Sequence, residues 1–184
     1  MTLLQKEKCA LVVVDMQEAF RHVIPDFSKI VSQIAALIEG CKILKVPILL
    51  TEQYPKGLGH TVEEIMKVIP EDCPIYEKTS FSCCGAEEFL EKLSSIGANQ
   101  ILVCGIETHI CVSQTAHDLI EKGFQVHLIA DCVSSRYPEN KLIGIEKLKQ
   151  AGAILSSAEM ALFEMMRSSS HPCFKQIQTL VKSL

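Results

Sequence analysis

A chain of 184 residues, 48% of them apolar, has the length of one ordinary domain with a proper core. The formal charge of −4 and 18 scattered basic residues leave no Lys/Arg cluster of the kind a nucleic-acid binder needs, so nucleic acid is not an expected partner. No apolar run reaches the roughly 20 residues of a membrane span, and Met1 to Lys8 resembles neither a secretory signal nor a transit peptide. These features predict a soluble, cytoplasmic protein without a membrane partner.

In chain order, the β-rich run Cys9–Val14 predicts a first strand, and apolar residues at helical spacing (Ile30, Ile34, Leu37, Ile38, Cys41) predict a helix over Ser28–Leu44. Strands are predicted next at Pro47–Thr51 and Ile75–Glu77, then a helix at Ala86–Leu93 and a strand at Gln100–Cys104. A helix over Thr108–Lys122, a strand at Gln125–Ala130, a helix over Glu139–Gln150 and a strand at Ala153–Leu155 complete the pattern. Gly97, Gly123 and Gly152 mark helix ends, and Pro138 suits a first helical turn.

Several of the six strands are apolar on successive residues, as strands covered on both faces are. The rhythm predicts a three-layer, doubly wound α/β fold with a six-stranded, mainly parallel sheet, in one domain spanning 1–184. Ser168 to Pro172 separates off a last amphipathic helix from about residue 172, carrying Phe174, Ile177, Leu180 and Val181. Its apolar stripe is expected to pack on its own domain, with a subunit interface as the alternative.

Nine cysteines is an odd number, and Cys9, Cys41, Cys104 and Cys132 lie inside apolar runs, as small hydrophobes of a reducing compartment do. Cys83 and Cys84 are adjacent and cannot easily pair with each other. No repeated Cys/His spacing of a structural zinc site occurs, so neither a metal nor another cofactor is expected.

Ligands of open parallel sheets bind outside the carboxyl ends of the strands. Three polar residues are predicted at that rim: Asp15 ends the first strand, Lys78 follows the third, and Gly105 leads from the fourth to Cys111 at a helix start. Singly, each has an ordinary explanation as a cap, a solvated lysine or a buried small side chain. Together they form a chemical set. A cysteine attacks a carbonyl as its thiolate, which a helix N-terminus and an ammonium favour, while a carboxylate can take the proton. Lys78 and the helix end are expected to outweigh an ionised Asp15, leaving Cys111 reactive near neutral pH.

The residues that carry a family likeness are Val14-Asp15-Met16-Gln17 with Phe20, Glu77-Lys78 with Phe81-Ser82, and Gly105-Ile106-Glu107-Thr108-His109-Ile110-Cys111-Val112 with Thr115-Ala116. In this order they resemble the isochorismatase-like cysteine hydrolases, a superfamily that includes nicotinamidases and N-carbamoylsarcosine amidohydrolases. The likeness is closest to the short isochorismatase-domain proteins, through Thr51-Glu52-Gln53-Tyr54-Pro55-Lys56-Gly57-Leu58-Gly59 and His171-Pro172-Cys173-Phe174-Lys175.

The resemblance implies Asp15 as base, Lys78 as electrostatic activator and Cys111 as nucleophile. It also implies a cis peptide between Ile106 and Glu107 beside an oxyanion hole completed by the Cys111 N–H. Asp131 to Arg136 is similar to the family's fifth strand end, which lines the rim and the subunit contact, and a homo-oligomer, dimer or tetramer, is implied. Gln17, Phe20, Tyr54 and Phe81 are the candidate walls of a pocket for a small-molecule substrate. The chain departs from the nicotinamidases, which carry an Asp-x-His and a further His as metal ligands after the second strand; here that segment offers Glu52 and His60. His109, two residues before Cys111, is expected to pack at a surface or interface, leaving Asp15 as the base.

The expected activity is cleavage of a small amide- or ester-like carbonyl substrate through a thioester. Vinyl-ether hydrolysis of the isochorismate type and a non-catalytic oligomeric binding protein of the same fold are the alternatives.

Overall fold

The computed structural model describes residues 3–182. Six parallel strands form one sheet: β1 (Cys9–Val14), β2 (Ile48–Gln53), β3 (Ile75–Lys78), β4 (Gln100–Ile106), β5 (Gln125–Ser134) and β6 (Ile154–Ser156), in the order β3-β2-β1-β4-β5-β6. Strand order reverses direction between β1 and β4, the point where loops diverge and leave a crevice above the carboxyl ends.

Alternation along β1 shows why the sheet is covered on both sides. Leu11 and Val13 enter one apolar layer, whereas Ala10, Val12 and Val14 enter the other. The first layer is closed by α1 (Phe27–Leu44), α7 (Ala158–Met166) and α8 (Phe174–Val181) through residues such as Ile34, Leu37, Leu162 and Ile177. The second is closed by α4 (Glu87–Ile96), α5 (Ser113–Glu121) and α6 (Pro138–Gln150) through Phe89, Leu93, Ala116, Leu119 and Leu148. The C-terminal helix thus packs on the body, with Phe174 edge-on to Phe163 at 6.2 Å between ring centroids.

The structure departs from the sequence expectation in four places. Between β2 and β3, where the sequence pattern names no helix, the chain makes two one-turn helices, α2 (Pro55–Leu58) and α3 (Glu63–Met66). The segment expected as one helix over Thr108–Lys122 starts with a π-helical turn, Thr108–Val112, before α5. β5 runs on to Ser134, past a register shift that sets Val133 opposite Gly105 and Ser134 opposite Ile106.

Helix α7 was not anticipated at all, although Ala158, Ala161, Leu162, Met165 and Met166 recur at helical spacing and are buried. Its start is held from two directions: the Ser157 hydroxyl accepts from the Met160 N–H, and the Asp131 carboxylate accepts from the Ala158 N–H at 3.0 and 3.2 Å.

Candidate active site

Asp15 leaves β1 in the left-handed region, φ 51°, and its carboxylate is buried. Lys78 closes β3, two strands away, and reaches over β2 to place Nζ 2.7 Å from Asp15 Oδ2, with both side chains essentially inaccessible. The intervening strand fills the gap with residues on alternate positions: the Thr51 hydroxyl donates to Asp15 Oδ1 at 2.7 Å, and Gln53 Oε1 accepts from Lys78 Nζ at 2.8 Å. The Phe81 and Ser80 carbonyls accept from the same ammonium at 3.1 and 3.3 Å. Four oxygens therefore surround three N–H groups. Lys78 acts here as a fixed charge with its donors occupied.

Cys111 lies in the π-helical turn, 7% exposed, where the Asp15 and Lys78 charges both act on its thiol. Burial first, then the Asp15 charge, raise the thiol well above its ordinary range; Lys78 acts in the opposite direction without prevailing. This corrects the expectation that the lysine and helix end would win. Asp15 and Lys78 thus act on the same thiol with opposite sign.

The peptide joining Ile106 to Glu107 is cis. The Glu107 side chain is buried and accepts from the Arg136 backbone N–H at 2.8 Å and from Arg136 Nε at 3.0 and 3.2 Å, tying the end of β4 to the segment after β5. The Glu107 carbonyl accepts from the Ile110 and Val112 N–H groups and so shapes the turn that carries Cys111. His109 faces away from Asp15's partners, with Nδ1 3.0 Å from Ser135 Oγ and Nε2 3.4 Å from Asn140 Nδ2.

Of the four residues expected to wall a pocket, the structure gives two a different role. Gln17 is fully buried; its amide donates to the Gln53 and Gly59 carbonyls and accepts from the Gln53 N–H, so it ties loops together. Phe20 packs against the apolar layer beneath α1. Tyr54 and Phe81 are each 53% exposed and line cavities of about 400 and 540 Å³. Neither cavity is lined by Asp15 or Cys111.

Sequence reasoning missed Thr51, Gln53 and Cys83. The Cys83 thiol is fully buried, sits 3.4 Å from Thr51 Oγ1, and is pushed up to about 12, by burial first and then by the nearby Asp15 charge. Its backbone N–H donates to Thr115 Oγ1 at 2.9 Å. All nine cysteines are free.

At the position where a metal was weighed, Glu52 is buried with one oxygen accepting from the Thr61 N–H and hydroxyl, at 2.6 and 2.7 Å, and the other 2.9 Å from His60 Nδ1. Among the described residues no group of three or more His, Cys, Asp or Glu side chains is arranged to hold a metal ion. No helix among them is long and apolar enough to cross a membrane.

A doubly wound parallel sheet with an Asp, a Lys and a Cys meeting at its carboxyl rim defines a recognisable class of α/β protein. The Isochorismatase domain profile matches residues 9–160, and the chain belongs to that family. It is 43% identical over 172 residues to isochorismatase domain-containing protein 2 of Danio rerio, covering 93% of this chain and 85% of that one. Among solved structures, one described as MAR1 ribonuclease from Caenorhabditis elegans superposes with a TM-score of 0.94 at 38% identity, over 98% of this chain and 93% of that chain. The pyrazinamidase of Pyrococcus horikoshii in complex with zinc superposes with a TM-score of 0.73 at 25% identity, over 82% and 99% of the two chains.

Proposed function

We propose that the protein is a cysteine hydrolase of a small amide- or ester-like carbonyl substrate. The observation that carries this reading is the buried Asp15–Lys78 pair, whose charges both act on the Cys111 thiol at the strand-order switch point. In this reading Asp15 takes the proton as the Cys111 sulfur attacks the carbonyl carbon. Lys78 offsets the negative charge without moving. The backbone N–H groups of Glu107 and Cys111 receive the oxyanion, the leaving group departs with the proton held by Asp15, and water deprotonated by the same carboxylate cleaves the thioester to a carboxylic acid.

The pyrazinamidase likeness supports amide chemistry, while the Glu52–His60 arrangement differs from a ligand set for zinc. RNA is the second reading, favoured by the description of the Caenorhabditis elegans structure as a ribonuclease. Against it stand the −4 net charge, the scattered basic residues and a site lysine whose donors are already occupied. We also propose a homo-oligomer, dimer or tetramer, supported by the exposed Tyr137, Leu142 and Ile143 at and just before α6. Sedimentation analysis reads that state directly.

The test is to incubate the protein with pooled small amides and esters and follow intact mass. An adduct mapping to Cys111 with release of the matching acid supports the hydrolase. Cleavage of a labelled RNA that survives Cys111→Ala, with no adduct from any carbonyl pool, would reverse it.

A further inference from the structure

Asp15 has two carboxylate oxygens and a side-chain donor on each, Thr51 at Oδ1 and Lys78 at Oδ2, and its charge acts on the Cys111 thiol. A carboxylate rotates freely about its Cα–Cβ and Cβ–Cγ bonds unless something holds both oxygens, and general-base catalysis depends on that orientation. Lys78 alone, a compact charge, fixes distance better than direction. Direction at Oδ1 comes from Thr51, 1% exposed, whose β-branched side chain sits on a central strand with few rotamers open to it.

The Thr51 hydroxyl has one hydrogen, and Asp15 takes it. The 3.4 Å contact to Cys83 Sγ must then run from the thiol to the Thr51 oxygen. Cys83 is itself pinned, since its backbone N–H donates to Thr115 Oγ1 on α5. The result is a buried relay of donors, Cys83 to Thr51 to Asp15, in which no member is exposed by more than 1%.

We infer that Thr51, held by Cys83, is a positioning residue that aims the Asp15 carboxylate at the Cys111 thiol. This rests on the hydrolase reading and adds two residues to it. Removing the hydroxyl loosens the base, because Oδ1 then loses the side-chain donor that fixes its direction.

The test is Cys111 alkylation by iodoacetamide across pH, read by quantitative peptide mapping. The sulfur displaces iodide, forms the S–C bond and loses its proton to Asp15. Thr51→Val keeps the shape and removes the hydroxyl; it is expected to slow Cys111 labelling about ten-fold. Thr51→Ser, which keeps the hydroxyl, should restore most of the rate, as a loss of packing alone would not.

Cys83→Ala removes the donor that holds Thr51 and should slow labelling about two- to three-fold. It decides the matter if Thr51→Val fails to fold. Wild-type rates in Thr51→Val, or wild-type rates in Cys83→Ala where the valine variant is unfolded, overturn the positioning role while leaving Cys111 as nucleophile. A wild-type Cys111 that labels no faster than Cys104 or Cys132 instead removes the hydrolase reading itself.

Discussion

A Cβ placed on Gly105 would lie 2.1 Å from the carbonyl oxygen of Val14. The two residues are register partners on β4 and β1, and Gly105 has φ 112°, a conformation that L side chains rarely adopt. The close approach brings the end of β4, and so the turn bearing Cys111, against the strand end bearing Asp15. Gly105→Ala is expected to cost about 3 kcal/mol or more, a fall in Tm of roughly 6–12 °C, and to lower activity beyond the loss of folded protein. Thermal melts paired with activity per folded molecule check this.

The Asp15–Lys78 pair is buried, so removing one partner leaves an uncompensated charge. Asp15→Asn and Lys78→Met should each lose activity, and Lys78→Met should destabilise by about 3–5 kcal/mol. The double variant should recover much of that stability and none of the activity. Urea denaturation of the four proteins measures the coupling; strict additivity of the two losses would contradict it.

Cys111 sits at the rim with its thiol raised by burial and by Asp15. Cys111→Ala should therefore abolish turnover while changing stability by about 1 kcal/mol or less, since one sulfur leaves a small cavity. Because Lys78 alone among the named causes favours the thiolate to any extent, Lys78→Met should slow alkylation of Cys111 at every pH. The half-buried Cys84 and Cys173 label through exposure and provide internal controls.

His60 is exposed and its ionisation is raised above 6.5, through hydrogen bonding to Glu52 and then the charge of that carboxylate. Burial pushes Glu52 upward, but the Thr61 and His60 hydrogen bonds outweigh it and hold the carboxyl below its ordinary 4.5. The histidine's contribution is complete below about 6.5 and fades as pH rises through its raised value; the carboxylate's is complete above 4.5 and fades as pH falls through its lowered value. Proton NMR should place the His60 midpoint above 6.5, returning toward it in Glu52→Gln. Metal analysis reads the same corner and is expected to find no stoichiometric zinc; one tightly held ion per chain there would contradict the expected departure from the nicotinamidases.

The periodicity of Cys9–Val14, Gln100–Cys104 and the helical runs between strands already contained the sheet, its parallel sense and its covered faces, because burial on both sides demands continuous apolar strands. Asp15, Lys78 and Cys111 were legible for a similar reason: each is a polar residue at the carboxyl end of an apolar run or just beyond one. What one dimension could not hold was what stands between them. Lys78 reaches Asp15 across β2, and only the sheet order puts Thr51 and Gln53 in that gap. Gln17 looked like a pocket residue by its place after Asp15, yet the folded loops use its amide on the Gln53 and Gly59 backbone. The balance at Cys111 was likewise a tertiary matter. Local sequence could name the charges around the thiol, but desolvation depends on what packs over it, and in the folded protein burial and Asp15 together outweigh Lys78.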